Sequence, residues 1–237
     1  MEPASCRAAP RARARATLRK RAGRTLSRFD PVHSLPPSLR RPVAEGWAII
    51  APLLAAALAL RRWPQVSAAL VAAALLVGAA LRDPERPPPE TDDALAPADG
   101  RVVAVDQVWD DHLNAPMLEI AIFLALWHVH VQRAPLAGRV IATRSYAGSY
   151  LPALWPGAAG NYREATYLDT AWGPCAVTQI AGLLARRIVR WVDEGDTLRQ
   201  GQRLGMIKFG SRVTLRLPAG SEPLVSIGEE VRASVTP

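Results

Sequence analysis

The sequence predicts a mainly β (α+β) protein: a compact β-sandwich or hybrid-barrel-like domain preceded by an N-terminal, membrane-associated helical hairpin. Three observations lead there. From about residue 90 onward, short runs rich in Val, Ile and Leu alternate with turns built on Gly, Pro and Asp, the pattern of many short strands. Two Ala-rich apolar runs, at 46–60 and 66–81, come before that region. An Arg-rich stretch with no apolar face precedes both. The expected organisation is a basic, disordered tail over 1–40, a hairpin with a Pro-rich linker over 41–89, and one mostly-β domain over 90–237.

Composition narrows the possible functions. The 237 residues are 49% hydrophobic, enough for a substantial core. The net charge of +8 is uneven: residues 1–41 carry eleven Lys or Arg against two acids, which leaves the remainder close to neutral. A basic tail on a neutral body fits an anionic partner surface, either nucleic acid or lipid headgroups. The two cysteines, Cys6 and Cys175, cannot build a disulfide framework or a zinc cluster, which fits a reducing compartment. A secretory signal would place its apolar run directly after the basic residues. Here the run comes too late, so export is not expected.

In chain order, the two apolar runs are separated by Arg61-Arg62-Trp63-Pro64-Gln65. Each is shorter than the roughly 20 residues a helix needs to cross the hydrocarbon. As a hairpin they would carry two guanidinium groups at their tip, which disfavours spanning. A monotopic or re-entrant hairpin avoids that cost, with Trp47 and Trp63 at headgroup level; a helical pair buried in the globular domain is the other reading. Arg82-Asp83-Pro84-Glu85-Arg86-Pro87-Pro88-Pro89 reads as a stiff boundary. Ala98-Asp99-Gly100 is a turn leading into a strand from Arg101. The run from Met117 to Thr143 reads as long β segments around a Pro135–Gly138 turn, and His112 falls in a hairpin loop. A strand runs through Ala176–Ile180, and the stretch after it is compatible with a helix ending near Trp191. The closing Gly-Asp-x-Leu and Gly-Glu-Glu-Val units are turn–strand pieces of small β domains.

The stretch Met206–Thr214 stands out. It reads as a strand interrupted at Gly210-Ser211 and resumed as a second strand, and a glycine inside a strand marks a bend or a close backbone approach. A serine hydroxyl after such a glycine is able to attack the preceding carbonyl, given a base and a backbone held off its ordinary geometry. His128 and His130 alternate with valines, so on one strand both rings would share a face. They are candidates for proton transfer near neutral pH, or simply the polar face of an edge strand. Asp99 is a turn residue, or else the carboxylate that orients a histidine or assists the serine. No third ligand accompanies the histidines, so no metal is expected. No phosphate loop, CxxC pair or HExxH helix is present.

Several segments together resemble phosphatidylserine decarboxylase proenzymes of the short bacterial form. They are EGW (45–47), LRDPER (81–86), PADGRVV (97–103), HVHVQRAPLAG (128–138), QIAGLLARRIVRWV (179–192), GDTLRQGQRLGMIKFGSRVTLRLP (195–218) and IGEEVRA (227–233). The resemblance implies self-cleavage between Gly210 and Ser211, giving chains 1–210 and 211–237. The cofactor would then be pyruvate, as a covalent pyruvoyl group derived from Ser211. It would decarboxylate phosphatidylserine to phosphatidylethanolamine through a Schiff base. By the same resemblance His130 is the proton donor and a base for processing, and Asp99 supports processing. The family pattern departs at His128, at Arg133, and in the 158–166 loop, which bears on the substrate entrance. The implied partners are phosphatidylserine in the bilayer, an anionic membrane surface, and the protein's own two cleavage products as a heterodimer open to further oligomerisation. The implied location is the cytoplasmic side of the cell membrane, peripheral or monotopic, with no nucleic acid involved.

Two other classes compete. A membrane-tethered lipoyl- or biotinyl-like β module without catalysis would need a lysine displayed at a hairpin tip, and Lys208 precedes Gly-Ser within a strand pattern. An RNA-binding reading would need aromatics interleaved with basic residues on the strands, and only 6% of residues are aromatic.

Overall fold

Alanine and leucine are among the strongest helix formers, and the Ala/Leu-rich segment folds as two helices, α1 (Pro37–Ala59) and α2 (Pro64–Ala80). The computed structural model describes residues 37–183, 186–208 and 210–237, all within the unit Val32–Pro237. The expected tail over 1–36 lies outside the described residues, and α1 begins inside the stretch read as tail. Pro64 sits in the first turn of α2, where its missing N–H leaves no bond unmade. The Ser67 hydroxyl donates to the Ala57 carbonyl at 3.0 Å, tying the helices together near their connection. Among the described residues no helix is long and apolar enough to cross a membrane. Trp47 and Trp63 are both exposed.

The strands are β1 (Gly100–Asp110), β2 (Ala115–Leu124), β3 (Val131–Arg133), β4 (Gly138–Tyr146), β5 (Arg163–Thr170), β6 (Gly173–Ile180), β7 (Ile188–Arg190), β8 (Thr197–Leu198), β9 (Arg203–Ile207), β10 (Ser211–Pro218) and β11 (Glu230–Val231). Eight form one antiparallel sheet in the order β11-β1-β2-β10-β6-β5-β4-β8. The other three form a small sheet, β3-β9-β7. The mainly β class with two N-terminal helices therefore holds. Strand β10 is central, bonded to β2 on one side and β6 on the other. Its alternation sends Val213, Leu215 and Leu217 into the main core with Ile122, Leu168 and Val177, and Arg212, Thr214 and Arg216 to the opposite face.

Two expectations about local structure are corrected. His128 and His130 do not lie on one strand. β2 ends at Leu124, a turn occupies Leu126–Trp127, and pairing resumes only at Val131. The reason is topological: the chain leaves the large sheet at Leu124, which pairs with Ser211, and joins the small one, where Val131 pairs with Met206. Nor do the described residues between Ile180 and Trp191 form a helix. β6 carries the chain to Ile180, and Ile188 and Val189 pair with Ile207 and Met206. There the open edge of β9 and two β-branched side chains outweigh local helix propensity. The helical element found between residues 90 and 237 is a short 3-10 turn, Pro156–Gly160.

The hairpin joins the β domain through one small cluster. Leu81 packs with Val129, Val131 and Met206, and the Ala80 carbonyl accepts the His130 N–H at 3.3 Å. Burying each such side chain contributes about 1.5–3 kcal/mol. The linker after Leu81 is pinned by charge. The Asp83 carboxylate is buried; it accepts from Arg133 at 2.9 Å and is also paired with Arg203. Arg133 donates further to the Pro84 and Gly201 carbonyls at 2.8 and 3.1 Å. Arg133 thus binds the linker to the domain. Removing one member of a buried ion pair leaves the other uncompensated. Asp83→Ala is expected to lower the unfolding free energy by about 3 kcal/mol, measured by urea denaturation; a loss no larger than that of an exposed control such as Glu222→Ala would contradict this account.

Candidate active site

The chain passes from the small sheet to the large one between Ile207, the last residue of β9, and Ser211, the first of β10. The strand break expected at Gly210-Ser211 falls here. Gly210 has φ +58°, a left-handed conformation that favours glycine. Its carbonyl oxygen lies against Gly182, where an added Cβ would come within 2.3 Å of it. Ser211 is fully buried, and its Oγ has no hydrogen-bond partner among the described residues. An orphaned buried hydroxyl costs stability; Thr214 and Ser234 share that condition, and what sets Ser211 apart is the left-handed glycine directly before it.

His130 lies directly beside this turn. Its ring is fully buried, and Nδ1 lies 2.8 Å from the His128 carbonyl and 3.1 Å from the Ala80 carbonyl. Carbonyl oxygens only accept, so Nδ1 carries the proton and Nε2 presents its lone pair. That lone pair accepts the Gly210 N–H at 3.3 Å. Burial pushes the imidazole below its ordinary value, and the contacts with the His128 and Ala80 carbonyls offset only part of that. The result is a neutral imidazole with its basic nitrogen on the residue before the serine.

The other predicted residues sit elsewhere. Asp99 forms an ion pair with Arg86 through both carboxylate oxygens and accepts the Ala233 N–H at 2.9 Å. None of its hydrogen bonds goes to His130 or Ser211. Its visible role is to fasten the linker and the C-terminal segment to the start of β1. His128 accepts the Ala125 N–H on Nδ1 at 3.1 Å and faces Glu230 through Nε2 at 3.4 Å, so it closes the turn that delivers His130. His112 caps the β1–β2 loop away from this site, its amide bonded to Asp110 and its ring 4.3 Å from that of Tyr167. Lys208 is buried, which removes the carrier-module reading, since such a module must display its lysine.

Sequence reasoning missed three supporting residues. The Gln179 amide donates to Gln132 Oε1 at 2.7 Å, and Gln132 donates to the His130 carbonyl at 3.0 Å. This buried relay fixes the backbone that carries the imidazole. Asn161, fully buried, bonds Ser149, both backbone groups of Leu151, and the Ala181 carbonyl. It joins the 149–155 loop to the segment holding Gly182. The available signal was their polarity inside apolar runs, where a buried amide needs dedicated partners.

The family described as phosphatidylserine decarboxylase matches residues 73–237. A phosphatidylserine decarboxylase proenzyme from Paraburkholderia xenovorans (strain LB400) is 42% identical over 197 residues, covering 81% of this chain and 93% of that protein. The chain belongs to the phosphatidylserine decarboxylase family. A proenzyme of the same name from Aromatoleum aromaticum is 42% identical over 200 residues, 76% of this chain and 93% of its own. Another from Burkholderia multivorans is 45% identical over 158 residues, 65% of this chain and 74% of its own. The family match takes in β1 to β11 and the end of α2, and so includes every residue of the site.

The depressed basicity of His130 has a pH signature. The ordinary imidazole value is 6.5, and the folded value lies below it, so the unfolded chain takes up more protons as pH falls. The stability contributed by neutral His130 is complete above about pH 6.5 and is lost as pH drops through the folded value. Urea denaturation of the uncut Ser211→Ala protein should show that decline, and adding His130→Gln should flatten it. An acid slope unaffected by His130→Gln would refute the assignment.

Proposed function

We propose that this chain is a self-processing decarboxylase that converts phosphatidylserine to phosphatidylethanolamine at a membrane surface. One observation carries the reading: a buried serine hydroxyl without a partner follows a left-handed glycine whose amide rests on the lone pair of a neutral histidine. In the first step Ser211 Oγ bonds to the Gly210 carbonyl carbon and gives its proton to His130 Nε2. The Gly210–Ser211 C–N bond breaks, leaving an ester and a free amine. Loss of the Ser211 Cα proton expels Gly210 as a carboxylate and leaves dehydroalanine. Water then enters, ammonia leaves, and residue 211 ends as a ketone.

The fit of a pyruvoyl group at residue 211 rests on the same orphaned hydroxyl and on the lack of any bond that would hold it as a structural serine. Such a ketone supplies the electron sink that losing carbon dioxide from an α-amino acid requires. This chain's residues do the rest. Burial of the site excludes water, Gln132 and Gln179 hold the backbone of His130, and Nε2 returns a proton to the carbon that has lost its carboxylate. Asp99 acts indirectly, by fixing the start of β1 and the C-terminal segment. The products 1–210 and 211–237 stay together as a heterodimer. The hairpin and the Arg-rich N-terminus hold the protein peripherally on the anionic, cytoplasmic face of the cell membrane, where such residues contribute about 1 kcal/mol each.

Intact mass of protein purified from its host tests this directly. Masses of 1–210 and of 211–237 with a ketone in place of the amine are expected, together with phosphatidylethanolamine from added phosphatidylserine. Ser211→Ala should remain one chain and inactive, and an uncut wild-type protein without reactive carbonyl would end the proposal. Gly182→Ala places a methyl 2.3 Å from the Gly210 oxygen, and the displaced carbonyl should slow cleavage by roughly tenfold or more. A time course of chain appearance measures it, and a wild-type rate would show that the Gly182 contact is irrelevant.

A further inference from the structure

Beside Gly210 an open groove of about 390 Å³ is lined by apolar side chains, among them Phe123, Trp127, Leu154, Trp155 and Leu183. No acidic or basic side chain lines it. Its rim is unusually exposed for apolar residues: Trp127 67%, Leu154 59%, Trp155 58% and Leu183 52%. The rim comes from three separate loops, 125–130, 150–155 and 181–183, so no single helix or strand face accounts for it. A concentrated apolar rim on a soluble-facing domain marks an interaction site, and tryptophan is suited to the boundary between water and lipid.

The rim is flanked by cations held to its own backbone. Arg82 Nη1 donates to the Trp127 carbonyl at 3.1 Å and to the Ala79 carbonyl at 2.5 Å. Arg186 donates to the Leu183 carbonyl at 3.4 Å, with its guanidinium 5.7 Å from the centre of the Tyr150 ring. Both arginines are exposed. The Arg82 bonds also fasten the Trp127 loop to the end of α2. Apolar side chains in the middle with guanidinium groups at the edge match the layering of an anionic bilayer, acyl chains below phosphate and carboxylate groups. A protein partner would call for paired polar groups within the patch, and none lines the groove.

We infer that the rim formed by Trp127, Leu154, Trp155 and Leu183 inserts into an anionic bilayer, so that the groove beside Gly210 opens directly onto the acyl layer. This is a second membrane contact, separate from the helical hairpin, and it rests on the lipid-decarboxylase reading above. Its consequence is that a lipid reaches residue 211 by sliding from the bilayer along the groove, without crossing water.

The test uses the full-length chain with Leu154→Glu and Leu183→Glu combined. Self-cleavage, read by intact mass, reports whether the variant folds. Turnover is compared on vesicles of phosphatidylcholine with phosphatidylserine and on a dispersed short-chain phosphatidylserine. The variant should cleave, and its ratio of vesicle turnover to short-chain turnover should fall by roughly tenfold or more, the short-chain rate carrying any effect of the two substitutions on the groove itself. An unchanged vesicle-to-short-chain ratio would overturn the inference. A second variant, Trp127→Phe with Trp155→Phe, keeps the surface apolar and removes two fluorophores. On vesicles with brominated acyl chains its quenched fraction should be smaller than the parent's, and an equal fraction would overturn the inference. The quenching comparison needs no catalysis. Should the parent neither cleave nor decarboxylate, the functional reading falls while quenching still decides whether the rim enters lipid.

Discussion

The site depends on how abruptly the backbone changes sheets. Ile207 is paired in the three-stranded sheet and Ser211 in the eight-stranded one, so the connection has three residues in which to turn. A left-handed glycine makes that turn possible. Both flanking strands are held by their ladders, so the connection cannot relax by shifting register without moving a whole row of side chains off the core. The Gly210 amide is thereby directed at His130 and its carbonyl at Gly182. His130 comes from a matching crossing, since Leu124 leaves the large sheet and Val131 enters the small one. Two adjacent crossings between the same sheets bring His130 Nε2 to the Gly210 amide, one residue before Ser211.

Much of this was legible in the chain. The Gly-Ser interruption between two β runs located the crossing at 207–211, because no other residue pair in that stretch breaks the pattern. The Ala/Leu runs announced the helices through propensity alone. What stayed hidden depended on distant partners. The alternation of His128 and His130 with valines looks like a strand, yet a turn at Leu126–Trp127 is imposed by where Ser211 and Met206 lie. The stretch after Ile180 has helix-forming composition, and Ile188–Arg190 nonetheless pair with β9. Asp99 has the sequence surroundings of a turn cap, and its actual partners, Arg86 and Ala233, are 13 and 134 residues away. No local rule finds an ion pair of that kind.

The linker shows the same dependence. A run of Asp, Glu, Arg and Pro reads as a spacer, but Asp83, Glu85 and Arg86 are all engaged with the β domain. Two arginines share the Asp83 carboxylate, one on each oxygen, and their remaining N–H groups reach Pro84, Gly201 and Glu85, which an ammonium's compact point charge would not span. The helices are therefore positioned against the His130 loop, where the Ala80 carbonyl meets the imidazole. A charged segment that composition assigns to solvent instead helps place the Ala80 carbonyl against His130 Nδ1.

The place of β10 in the middle of the sheet has a mechanical consequence. It is matched along eight positions to β2 and five to β6, and its apolar side chains fill the core. Opening the backbone ahead of Ser211 would therefore free only a few atoms at one end of a strand gripped along both edges. The new terminus would stay as firmly located as an internal residue, and the severed piece would have to split the sheet in two to escape. A peptide bond would thus be expendable at this point, because the lattice of interstrand bonds, rather than chain continuity, holds the start of β10 in register.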